Sequence, residues 1–137
     1  MGLTQEELEQ HLIAAIDLFE GKLEIVERRE YLLIMFFYKR VSDQFEEDLL
    51  NTSGDPEDPD NFNFFIPKNA RWKYIRRISE GIGCVIDDAF QKIEDLNLDL
   101  LKGVLTSVQF NNPTIFSDGM LSQLIIHFSQ NRLIVQI

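Results

Sequence analysis

Five basic side chains, Lys68, Arg71, Lys73, Arg76 and Arg77, fall within ten residues that also carry Trp72 and Tyr74 and contain no acid. Lysine and arginine neutralise phosphates, and an exposed aromatic face stacks on a base, so residues 68–77 form a candidate nucleic-acid contact. The aromatics also read as anchors that hold the segment to a core. The bases read equally as phosphate contacts or as partners of nearby carboxylates. If all five met phosphates, affinity would fall with salt at a log–log slope of about −4.5.

Other reactive residue types have weaker patterns. His11 and His127 lack the close pairing of zinc ligands and read as helix-surface or boundary histidines. The acid pairs Asp87-Asp88 and Glu94-Asp95 fall opposite an apolar stripe, which predicts a solvated face. Cys84 is the only cysteine, so it has no internal disulfide partner, and it reads as a buried structural thiol. No Ser-His-Asp or Cys-His pattern is present to which a catalytic role can be assigned. Gly81-Ile82-Gly83 has the spacing of a nucleotide-binding loop, but no buried strand precedes it, and it reads as a helix boundary. Residues 51–63 combine glycine, two prolines and four acids, the composition of a solvated loop. Pro56 and Pro59 break the spacing of a calcium loop there. Arg28-Arg29 and Lys39-Arg40 lie three helical turns apart on one helix, where they could meet DNA or a partner subunit, but the favoured reading is a solvated surface paired with Glu24, Glu27 and Glu30.

The elements that carry these residues are helical by period. Thr4-Gln5-Glu6-Glu7 fits a capping box, and Leu8, Leu12, Ile13, Ile16, Phe19 and Leu23 then recur as one stripe, with Gly21 as a break. A longer helix is predicted from about Glu27. It is apolar all round over residues 31–38, as a central buried helix would be, and Val41, Phe45 and Leu49 extend its stripe. Pro67 precedes a short helix with Trp72 and Tyr74. Ile82, Val85, Ile86, Ala89, Phe90, Ile93 and Leu96 define the clearest amphipathic helix, and a turn-rich connection with Gly103 follows. Ser117 or Asp118 caps a last helix bearing Leu121, Leu124, Ile125 and Phe128. No segment has strand period. The fold class is therefore all-α, a compact bundle of about five to six helices with an acidic loop near residues 51–63.

The 137 residues suffice for one domain with its own core, and 45% hydrophobic against 26% charged residues is a globular balance. The longest apolar run, residues 31–38, is far short of the roughly 20 residues needed to span a bilayer. With an acidic N-terminus unlike a secretory signal, the expected location is cytoplasmic. A net charge of −10 excludes a protein that coats nucleic acid by bulk electrostatics. The distribution is uneven, with 16 acids and 5 bases in residues 1–60 but no acid and five bases in residues 61–79.

Four colinear stretches carry a resemblance that spans nearly the whole chain: YLLIMFFYKRVSDQFEE (31–47), FFIPKNARWKYI (64–75), IGCVIDDAFQKIEDLN (82–97) with Leu101-Lys102-Gly103-Val104-Leu105, and LSQLIIHFSQNRL (121–133). Together they resemble the helical N-terminal domain of the DNA-methylating (M) subunit of type I restriction-modification systems. One departure is Leu18-Phe19-Glu20-Gly21, where the family usually places Leu-Arg-Gly, so no role of that arginine carries over. The resemblance implies a parent that methylates adenine N6 in DNA with S-adenosylmethionine. Its implied partners are DNA, a specificity (S) subunit, a second M subunit and a restriction subunit. The methyl-donor Gly-x-Gly after a strand and the Asn-Pro-Pro-aromatic motif are not in these residues, so this chain alone is expected to be inactive and to hold no cofactor. The leading expectation is a single domain, residues 1–137, that positions DNA and contacts the S subunit or the methylase domain. The alternative is a free-standing acidic helical interaction module without DNA contact.

Overall fold

A computed structural model describes residues 4–17, 25–62, 64–97, 103–112 and 115–130. These residues form five helices and no strand: α1 (Gln5–Asp17), α2 (Ile25–Asn51), α3 (Trp72–Ile75), α4 (Ile82–Leu96) and α5 (Asp118–Ser129). Single 3-10 turns at Pro59–Asn61 and Lys68–Ala70 shape the connection between α2 and α3. None of the described helices is long and apolar enough to cross a membrane. The Gly21 break, the Glu20 departure, Phe19 and Leu23 lie outside the described residues.

The predicted capping box starts α1. The Thr4 amide donates to Glu7 Oε1 and the Glu7 amide donates to Thr4 Oγ1, both at 3.1 Å. Ala15 is buried and Leu8 and Leu12 are partly so, whereas Ile13, expected in the stripe, faces solvent.

At 27 residues, α2 is about 40 Å long and spans the domain. Leu32, Met35, Tyr38 and Phe45 turn into the core. The run that looks apolar all round is not buried all round, because Leu33 is exposed while Lys39 is 3% exposed. One turn before, Met35 is fully buried, so Lys39 lies on the inward stripe and is not on the solvated surface expected for it.

The first end of α4 is closed by a side chain from a distant segment, and its last end by its own cap residue, which also pairs with one. Gly81 takes the left-handed conformation (φ +62°), and Asp118 of α5 accepts from the Gly81 and Ile82 amides at 3.2 and 3.0 Å. Ser117 caps α5 itself, accepting from the Met120 amide. At the far end Asn97 donates to Ile93 O and Phe65 O and accepts from the Phe65 amide, so it ends α4 and pairs with the extended chain before α3. Ile82, Ile86, Ala89, Phe90 and Ile93 face inward as predicted, but Leu96 is exposed.

Two acids expected in solvent are structural. Glu94 is 4% exposed and accepts from the amides of Gly103 (3.0 Å) and Thr106 (2.7 Å) and from the Thr106 hydroxyl. Asp87 accepts from the amides of Phe110 and Asn111 at 2.8 and 2.9 Å. Residues 103–112 run back along α4 in turns, and their amides need acceptors that these carboxylates supply. Asp88 and Asp95 are exposed as expected. Cys84, expected as a buried structural thiol, is instead exposed, because it stands two residues from Ile82 and Ile86 on α4 and thus on the outer face.

Gly83 is required by contact. A Cβ there would lie 2.3 Å from the Phe110 carbonyl oxygen. Gly83→Ala is expected to destabilise the domain by about 1–3 kcal/mol, read as a lower urea midpoint. Gly119→Ala, with nothing nearer than Ser117 Oγ at 3.9 Å, should be neutral or slightly stabilising in the same measurement.

Candidate nucleic-acid interface

The basic segment is built from short pieces held by alternating anchors. Pro67 is extended (ψ 156°), the 3-10 turn Lys68–Ala70 follows, Arg71 is extended again, and one turn of α3 completes it. Ala70, Trp72 and Ile75 are buried. Trp72 Nε1 donates to Ser129 Oγ at 2.8 Å, and Ser129 in turn donates to Ile125 O, which ties the segment to the end of α5. Tyr74 is not an anchor. It is 44% exposed, because Trp72 and Ile75 take the inward face of the single turn.

The five bases have three different surroundings. Arg71 is half-buried: its Nε donates to Ile66 O at 2.9 Å, and its guanidinium lies 5.0 and 5.8 Å from the ring centres of Phe45 and Phe65. Its Nη2 is buried without a hydrogen-bond partner among the described residues. Lys68 meets Glu57 at 3.7 Å and Lys73 meets Glu46 at 3.6 Å; both lysines and Glu57 are exposed, and Glu46 is partly buried. Such pairs contribute roughly 0–1 kcal/mol, so a phosphate can displace either partner. Arg76 and Arg77 are exposed, and among the described residues no carboxylate lies within ion-pair distance of them.

These two arginines edge a groove of about 410 Å³ along α5, floored by Ser122, Ile125 and Ile126. A second groove of about 400 Å³ shares Arg76, Ser129 and Gln130 with it and runs past Trp72 and Lys73 to Lys39 and Asp43. Lys39 is ion-paired with Asp43 one turn on, and its ammonium lies 5.6 Å from the Trp72 ring centre. That pair supports the basic edge from behind. Spacing held a signal for it, since lysine and aspartate four apart on a buried stripe must meet.

The structure also brings together residues that spacing kept apart. His11 and His127 stack with ring centres 4.0 Å apart, although each was expected alone at a helix surface or boundary. The described residues contain no group of three or more His, Cys, Asp or Glu placed to hold a metal ion. Gly81-Ile82-Gly83 opens α4 as a helix boundary, with the Phe110 carbonyl closed against Gly83.

Helices without a described strand and a basic edge on an acidic body define an all-α domain. Residues 8–128 match the HsdM N-terminal domain, and the chain belongs to that family, the N-terminal domain of the M subunit of type I restriction-modification systems. Among curated proteins, no match to the chain is found.

Asp43→Ala should destabilise the domain by about 3–5 kcal/mol by removing the carboxylate that faces the buried Lys39 ammonium. The double variant Lys39→Met/Asp43→Leu is expected to recover most of that loss in chemical denaturation.

Proposed function

We propose that this domain positions DNA for methyl transfer carried out by the remainder of its M subunit. It would do so in the cytoplasm, meeting the S subunit or the methylase domain through exposed helix faces. A second M subunit and the restriction subunit complete the assembly by family. S-adenosylmethionine would bind in the parent subunit, outside the residues described above.

The observation that carries this reading is the exposed, uncompensated pair Arg76 and Arg77. Beside it, the exposed Lys68 and Lys73 stand in loose pairs of 3.7 and 3.6 Å. Phosphate oxygens would replace water around the arginines at little desolvation cost, and they would release Lys68 and Lys73 from Glu57 and Glu46. The contribution is positional and independent of base sequence. Arg71 serves differently from its neighbours: stacked on two phenylalanines, it shapes the segment that presents the others. The acidic remainder of the chain repels DNA and so orients this edge toward it.

The exposed Ile126, 60% accessible in the floor of the groove, favours a second reading in which the same groove docks protein. Salt dependence separates the two. In the assembled M and S complex, Arg76→Ala/Arg77→Ala is expected to weaken DNA binding and to make the log–log salt slope shallower by about 1.8. Across 50 to 200 mM salt this removes about tenfold of the affinity change. An unchanged affinity and slope would overturn the DNA contact and leave the protein-docking module.

A further inference from the structure

α1 and α5 meet through the two histidines of the chain, 116 residues apart. The His11 and His127 rings are 11° from parallel, and His127 Nε2 donates to the His11 carbonyl oxygen at 2.7 Å. Phe128 meets the His11 ring edge-on at 5.3 Å. His11 is 7% exposed, and its Nε2 is buried with no hydrogen-bond partner among the described residues.

This setting accepts a neutral imidazole and rejects a charged one. An imidazolium at His11 would bury an N–H without an acceptor and lie face to face with a second histidine. From α2 the charged group facing it is Lys39, already paired with Asp43; from α5 it is His127. On α1 itself, Glu7 stands one turn earlier, but its carboxylate accepts from the Thr4 amide. Burial first, then His127, then Lys39, hold the His11 pKa down at about 4.

Among the described side chains of α1, Ala15 is fully buried beside His11, and Leu8 and Leu12 are partly covered. A helix docked through a polar contact of this kind can open locally while the remaining core stays folded.

We propose that the His11–His127 stack is an acid-released latch, which keeps α1 docked on α2 and α5 at neutral pH and frees it on acidification. Release uncovers the Phe128 edge beneath His11. Detached, His11 regains an ordinary pKa near 6.5 and takes up a proton that the docked form refuses. Docking is therefore complete above about pH 6.5 and weakens as pH falls toward about 4, by up to about tenfold per unit, or about 30-fold at pH 5. The hydrogen bonds from Thr4 lower the Glu7 pKa, away from that window. Asp87 has a raised pKa from burial, so acid does not cost that site stability.

Amide hydrogen exchange on the whole chain at pH 7.5, 6.0 and 5.0, corrected for intrinsic rates, tests the latch. Protection of α1 should fall about 30-fold between pH 7.5 and 5.0 while α4 changes far less. His11→Phe should keep the stack and abolish the pH dependence in α1. Equal losses in α1 and α4, or an unaltered pH response in His11→Phe, would overturn the proposal. Should that variant fail to fold, the His11 ring titrated by NMR in the parent chain decides: a midpoint near 4 supports the latch, and one at or above 6.5 rejects it.

Discussion

Much of this domain depends on one buried phenol. Tyr38 is fully inside, its hydroxyl donates to the Ala70 carbonyl oxygen at 2.6 Å, and its ring contacts Trp72 and Phe90. Burial pushes the phenol pKa far up, so the group remains a donor. A donor in that position must be satisfied or it costs about 1–3 kcal/mol. Meeting it fixes the 3-10 turn that ends at Ala70, and hence where Arg71 leaves that turn and α3 begins. The direction of Arg76 and Arg77 follows from the same bond, two short pieces of chain further on.

A second constraint is the irregular backbone between helices, whose amides have no ladder to pair with. Asp87, Glu94, Asn97 and Asp118 supply the acceptors, each reaching a segment at least nine residues away. Part of the acidity of the chain is thus spent holding loops. The acids that remain on the surface, including Asp88, Asp95 and the carboxylates of the loop after α2, give the body its negative field. That division explains how an acidic protein presents a confined basic edge.

The basic segment shows that residue type and exposure must be separated before function is assigned. Five bases occur together in the chain, yet one packs on phenylalanine, two meet carboxylates and two stand open. Membership of the type I M-subunit family supplies the context, and the two open arginines supply the contact on which the proposed role rests. The apolar floor beside them is compatible with a neighbouring protein surface at the same edge.

By itself, the sequence determined what depends on neighbours along the chain. The capping box at Thr4, the inward faces of α4 and α5, the helix start at Gly81 and the turn after Pro67 all follow from local spacing, and the family followed from four colinear stretches. Tertiary structure decided what depends on partners far away. Lys39 went inside because Asp43 and the Trp72 ring receive it; Tyr74 and Cys84 went outside because other residues hold the inward faces of their helices. Asp87 and Glu94 turned from solvent to loop amides, and His11 found His127, because helical period specifies the face of a residue and never the segment that packs on it.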